Sequence, residues 1–272
     1  MWYEQPFRNS GNLTILLRAI RKIATFPIHI MEVCGGQTYA LSRYRIEDLL
    51  PKTIQMIHGP GCPVCVTAEE TVARAIEIAR FPGTIFCTFG DMMRVPSAEG
   101  WSLQWLKAEG KDIRMLYSPL DALEIARENP GKEVVFLAIG FETTTPIYTL
   151  LLQEIIDRTI NNLSLLTSLF TIPAAVSFLA RDPECQIECL LAAGHVCSIT
   201  GTKVYEQLSH ELNMPIAITG FEPADLLYGI YRVIQLKAQG KNTAVNAYRR
   251  AVPERGNEIA QAATNRFFMP YD

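Results

Sequence analysis

No block of five or six like charges occurs in these 272 residues, and the formal net charge is only -3. The electrostatic footprint of a nucleic-acid or anionic-membrane binder is therefore missing. Low-complexity tracts are also absent. With 49% hydrophobic and 19% charged residues, the chain lies far from the composition of disorder. The opening Met1-Trp2-Tyr3-Glu4-Gln5-Pro6 lacks the basic start and apolar core of a secretory leader. The longest apolar stretch, Leu163 to Ala180, is interrupted by Ser164, Thr167, Ser168, Thr171, Pro173 and Ser177. It reads as a buried strand with its flanks, not as a membrane span. A cytoplasmic protein is expected. Cysteines number seven, with no second Cys-x-x-Cys pair. An odd count in such a chain speaks against a disulfide framework and for metal binding or thiol chemistry.

What the chain does have is a recurring unit: a short apolar run, a glycine-rich corner, then a helical pattern. Ile28 to Val33 reads as a strand closed by Cys34-Gly35-Gly36, with a helix running on towards Leu50. Thr53 to His58 leads into Gly59-Pro60-Gly61-Cys62-Pro63-Val64-Cys65, and a helix is predicted from Thr67, an N-cap with Glu70 three residues on. Strands follow at Thr84 to Thr88 and Ile113 to Tyr117, with Ser118-Pro119 starting the next helix. After the Asn129-Pro130-Gly131-Lys132 break the grammar resumes. Strands are predicted at Glu133 to Ile139, Leu169 to Ala174, Glu188 to Ala192 and Pro215 to Thr219, with a helix to about Lys237. Strands alternating with helices imply parallel sheets covered on both faces. The expected architecture is α/β: two Rossmann-like domains, 1–130 and 131–240, with a cleft between them, and a mainly helical segment 241–272. The corners Gly140-Phe141-Glu142 and Gly220-Phe221-Glu222 form a short internal echo.

Ligands of open parallel sheets bind beyond the carboxyl ends of the strands. The unusual residues cluster there. Cys62 and Cys65, at a loop leading into a helix, suit a redox dithiol whose thiolate the helix end favours, or half of a zinc site needing two further ligands. Cys34 is either a small buried hydrophobe or a ligand or nucleophile beside two glycines that free amide N–H groups. Glu142 and Glu222 serve a helix start, or turn into the cleft as acid, base or hydrogen-bond partner. His195 is the histidine best placed for chemistry, or a structural hydrogen-bonder. Asp91 and Arg94 pair with each other or meet a ligand. Cys87 reads as core, and Cys185, Cys189 and Cys197 do not form an iron–sulfur binding run.

At these corners the sequence closely resembles the HypD family of hydrogenase maturation proteins. The strings are Met-Glu-Val-Cys-Gly-Gly-Gln-Thr (31–38), His-Gly-Pro-Gly-Cys-Pro-Val-Cys-Val (58–66) and Thr-Phe-Gly-Asp-Met-Met-Arg-Val-Pro (88–96). Tyr-Ser-Pro-Leu-Asp-Ala-Leu (117–123), Gly-Phe-Glu-Thr-Thr (140–144), Gly-His-Val (194–196) and Gly-Phe-Glu-Pro (220–223) follow in the same order. The resemblance implies a scaffold working with a small HypC-like chaperone and a HypE-like cyanide donor to assemble the iron–cyanide–carbonyl unit of nickel–iron hydrogenase. It implies that Cys34 holds the iron with help from the partner and that Cys62 and Cys65 are the redox dithiol. The candidate set is completed by Glu142 and His195 as chemical groups, and by Gly35, Gly36, Gln37, Asp91 and Glu222 as cofactor contacts.

Tyr39 stands where the family usually has His, Ala193 where it has Pro, and Cys197 where it has Ser. The family also continues into a Cys-rich segment holding a four-iron, four-sulfur cluster; the ligands of that segment are expected to be missing here. Two alternatives stand beside the scaffold: a non-catalytic remnant that only binds the partner, and a generic thiol oxidoreductase.

Overall fold

The computed structural model describes residues 5–270. Met1–Glu4, most of the segment read for a leader, and Tyr271–Asp272, the end of the segment expected to be helical, lie outside the described residues. The strands are β1 (Ile28–Glu32), β2 (Ile54–His58), β3 (Thr84–Thr88), β4 (Ile113–Met115), β5 (Glu133–Gly140), β6 (Leu163–Leu169), β7 (Cys189–Ala193), β8 (Ile216–Thr219) and β9 (Ala244–Asn246). They form two sheets, in the orders β2-β1-β7-β8-β9 and β4-β3-β5-β6, and every pairing is parallel. Each sheet has its own unit. One comprises Met1–Cys62 and Thr171–Glu258; the other comprises Pro63–Phe170 and Ile259–Asp272.

The α/β class with two parallel sheets follows the sequence pattern, but the division of the chain does not fall at residue 130. The chain leaves the five-stranded sheet after β2, builds the whole four-stranded sheet, and returns to add β7, β8 and β9. Asn129-Pro130-Gly131-Lys132 is a turn inside one unit, joining the helix Asp121–Glu128 to β5, with the Lys132 amide donating to the Asn129 carbonyl at 3.0 Å.

Side-chain alternation explains why both faces of the four-stranded sheet are buried. Phe86, Leu137 and Ile139 meet the helices Glu69–Arg80 and Leu103–Ala108 on one face. Ile85, Cys87, Val134, Phe136 and Ala138 meet Asp121–Glu128 and Thr145–Asp157 on the other. Successive residues of a strand point to opposite faces, so a nearly continuous apolar run is what a doubly covered strand requires. Cys87 is core, as expected, and its thiol pKa is pushed up to about 12 by burial. In the five-stranded sheet Ile28, Ile30, Leu191 and Ala217 share one face with Leu17 and Ile20 of the helix Ser10–Ile23 and with Leu227, Ile230 and Ile234 of the helix Pro223–Ala238. Gly194–Thr200 and Lys203–Glu211 also pack on this sheet, against β7, β8 and β9.

Several local expectations shift. The strand predicted at Leu169 to Ala174 is β6, six residues earlier in its start, and Ile172–Ala180 is a helix with Pro173 in its first turn. Proline there loses no hydrogen bond, so the apolar run divides into a strand and a helix. Thr67 does not cap the next helix. A short helical turn, Pro63–Val66, intervenes, and the Thr67 hydroxyl donates to the Pro63 carbonyl at 2.8 Å; Ala68 precedes Glu69–Arg80. The helix after Gly36 breaks at Arg45, whose φ of 51° lies in the left-handed region. The segment 241–272 contributes β9 before its helix, Glu258–Phe267.

Candidate functional site

In a parallel sheet the crevice forms where neighbouring strands send their crossovers in opposite directions. In the five-stranded sheet that point lies between β1, which leads to β2, and β7, which leads to β8. Cys34 follows β1 and His195 follows β7. Their side chains meet there, the thiol sulfur 4.0 Å from the imidazole Nε2. Two residues far apart in sequence are thus brought together by topology.

Cys34 is the N-cap of the helix Gly35–Arg43, with extended backbone, and its Sγ accepts from the Gly36 amide at 3.3 Å. A helix N-terminus favours thiolate, but this sulfur is 9% exposed. Burial outweighs the Gly36 and Gln37 amides, and Glu32 adds to it, so the thiol pKa stands above 9.0. Cys34 is therefore a protonated thiol near neutral pH. His195 packs against Phe221, ring centroids 5.3 Å apart. Part of its imidazole is open to solvent, and the loss of water on the packed side holds its pKa below 6.5. A neutral imidazole beside a protonated thiol can exchange a proton with it or supply a lone pair.

The residue that sequence reasoning missed is Glu32. It is fully buried at the end of β1. One carboxylate oxygen accepts from the Cys34 amide at 2.8 Å. The other takes the Thr38 hydroxyl at 2.5 Å and meets His58 Nδ1 at 2.7 Å. His58 reaches Glu47 with its Nε2 at 3.5 Å. A buried carboxylate persists only when hydrogen-bonded or paired, and here its partners fix the backbone that presents Cys34. The signal was in the sequence: a carboxylate ending a strand whose Ile28, Ile30 and Met31 are apolar.

The Cys62 loop lies against the same corner. Gly59 donates its amide to the Glu32 carbonyl at 2.8 Å. At Gly61 a Cβ would stand 2.6 Å from both Cys34 Cα and the Gly35 nitrogen, so only glycine permits this approach. Cys62 is the next residue and is part-buried; Cys65 is exposed and belongs to the other unit. The chain passes between units inside the Cys62-Pro63-Val64-Cys65 loop.

The other candidates divide. Gln37 is fully buried, donates to Thr219 Oγ1 at 2.7 Å, and keeps a buried carbonyl oxygen without a hydrogen-bond partner. A Cβ at Gly36 would stand 3.2 Å from the Phe221 ring, whereas one at Gly35 would meet nothing within 4 Å. Glu222 receives both ends of the Arg8 guanidinium, at 2.5 and 2.7 Å. Its amide also donates to the Asp225 carboxylate at 3.4 Å, so it serves the start of the helix Pro223–Ala238. Asp91 and Glu142 follow β3 and β5, which flank the switch point of the other sheet. Arg94 donates to Gln104 at 3.3 Å rather than to Asp91. Tyr39 is exposed and takes a hydrogen bond from Arg43 at 3.0 Å.

Among the described residues, no three His, Cys, Asp or Glu side chains converge as a metal-holding group. Cys34 and His195 are a pair, not a complete ligand set. Among the described residues, no helix is long and apolar enough to cross a membrane.

Comparison with known proteins agrees with the corner strings. A family model described as HypD, Hydrogenase formation hypA family, matches residues 12–272. The hydrogenase maturation factor HypD of Rhodobacter capsulatus is 43% identical over 264 residues, covering 96% of this chain and 70% of that protein. Its counterpart in Escherichia coli K12 is 44% identical over 237 residues, covering 87% of this chain and 63% of that one. That of Rhizobium leguminosarum bv. viciae is 44% identical over 276 residues, covering 98% and 72%. The chain thus belongs to the HypD family of hydrogenase maturation factors.

Proposed function

We propose that this protein is a scaffold on which the iron–cyanide–carbonyl unit of nickel–iron hydrogenase is assembled, with Cys34 holding the iron as cargo. The observation that carries this reading is the meeting of Cys34 and His195 at the switch point, with Cys34 held from behind by the buried Glu32. A thiol that is protonated when empty and ionises on meeting iron suits a transient ligand: it releases its proton on loading and recovers it on release. The neutral imidazole of His195 is the group placed to take that proton. A pair of protein groups cannot complete an iron site, so the remaining ligands come from cyanide, carbonyl and a HypC-like chaperone; a HypE-like donor supplies the cyanide.

Cys62 and Cys65 are the proposed dithiol. Oxidation to a disulfide releases two electrons and two protons to the assembling unit, and an external thiol or electron donor restores the pair. Gly35, beside which there is open space, and Gln37, whose buried side-chain carbonyl oxygen has no hydrogen-bond partner, are the contacts for the cargo on the Cys34 side.

Anaerobic co-purification with HypC- and HypE-like proteins tests this. Infrared bands of iron-bound cyanide and carbonyl are expected in the complex and are lost in Cys34→Ala. Bands that persist in Cys34→Ala, or that never form with competent partners, refute the assignment. A generic thiol oxidoreductase would instead show disulfide exchange at Cys62 and Cys65 with no such bands.

A further inference from the structure

β9 ends on Asn246, and just beyond it three guanidinium groups gather around one cavity of about 390 Å³. Tyr228, Arg232, Asn246, Ala247, Arg249 and Arg250 line it.

The three arginines are not equivalent. Arg250 is held in both directions by the buried Asp225, at 2.7 and 2.5 Å, and its guanidinium carbon lies 4.0 Å and 4.4 Å from the ring centroids of Phe7 and Tyr248. Its charge is balanced by the Asp225 carboxylate. Arg232 donates to the Tyr228 hydroxyl at 3.1 Å, but its Nε is buried without any hydrogen-bond partner. Among the described residues neither Arg232 nor Arg249 forms an ion pair. A buried guanidinium N–H without an acceptor is costly, and arginine cannot escape by losing its proton. Two unbalanced positive charges facing one cavity, in a chain of net charge -3, call for a negative occupant.

We propose that this cavity binds a phosphate-type dianion, free or as a phosphomonoester, held by Arg232 and Arg249 against the fixed wall of Arg250. Planar guanidinium forks match phosphate oxygens in pairs, and the volume leaves room for the group that carries the phosphate. The surrounding carboxylates define where the anion sits. A second cavity of about 430 Å³ shares Asn246 and Arg249 but is also lined by Glu206 and Glu254, which repel an anion. Glu222, whose charge favours the Arg250 cation, is itself occupied by Arg8. The anion therefore lies on the Arg232 side of Arg249.

Calorimetric titration of the full chain with potassium phosphate and with AMP tests this, against potassium chloride at equal ionic strength and potassium succinate as a dicarboxylate. Saturable binding of phosphate or AMP is expected. It weakens about tenfold in Arg232→Gln, the effect of losing one charge-assisted contact. It also weakens in the exposed Arg249→Gln, and is unchanged in Arg158→Gln of the other unit. Tighter binding of AMP identifies a phosphomonoester; equal affinity identifies the free ion. Arg232→Lys keeps the charge and removes the fork, so it guards against misfolding as the cause and is expected to bind between native and Arg232→Gln. The proposal is overturned by heats no larger than those of chloride, by succinate binding as tightly as phosphate, or by native affinity in a folded Arg232→Gln, Arg249→Gln double variant.

Discussion

Glu32 sets the character of the corner at the scale of single residues. Its carboxylate is fully buried and serves the Cys34 amide, the Thr38 hydroxyl and the His58 ring at once. Removing it strips the buried Cys34 amide of its acceptor and releases Thr38 and the exposed His58 ring, so Glu32→Ala is expected to cost about 1–3 kcal/mol, seen as a lowered urea midpoint. Cys34 itself, held above its ordinary pKa of 9.0 mainly by burial, is protonated at neutral pH. Only thiolate reacts with alkylating agents. Iodoacetamide mapping by mass spectrometry is therefore expected to label Cys34 more slowly than the exposed Cys65 near neutral pH, with the Cys34 rate still rising beyond pH 9. Labelling of Cys34 that is already maximal at neutral pH would contradict its protonated state. Cys34 and His195 were both legible as candidates because each sits in a glycine corner. Glu32 was not singled out: a carboxylate needs three dimensions to reveal what it accepts.

At the scale of elements, strands and their glycine corners were largely readable from apolar runs and punctuation. Most starts and ends fall within a residue or two of expectation. The misread element was Leu163 to Ala180, where one apolar run serves two periodicities in succession, a strand to Leu169 and then a helix from Ile172. Glycine roles were also indistinct in sequence, since the letter is the same whether a neighbour crowds it or not. Gly61→Ala drives a Cβ to 2.6 Å from the Cys34 and Gly35 backbones. It is expected to lower stability by about 1–3 kcal/mol and to displace the Cys62 loop. Gly35→Ala meets open space in the first helical position and is expected to be neutral or slightly stabilising. Urea denaturation of the two variants decides the matter, and equal midpoints would mean that the loop does not press on β1.

The whole molecule was legible in class but not in connection. Parallel α/β sheets follow from alternation of apolar runs and helices, whereas strand order depends on contacts between segments that no local pattern announces. β1 pairs with β7 and β3 with β5, each across the Asn129–Lys132 break. A fragment spanning 1–130 therefore carries β1 to β4 without the central partners of either sheet. It is expected to show no cooperative unfolding transition by circular dichroism, and a sigmoidal melt from that fragment would argue for consecutive domains.

The same strand order bears on synthesis. β3 to β6 are consecutive, so the four-stranded sheet can close while the chain is still emerging from the ribosome. β1 must wait for Cys189–Ala193 to gain its second neighbour. Until then the thiol after β1 lacks the His195 imidazole beside it, so the corner is completed only after most of the polypeptide has been made.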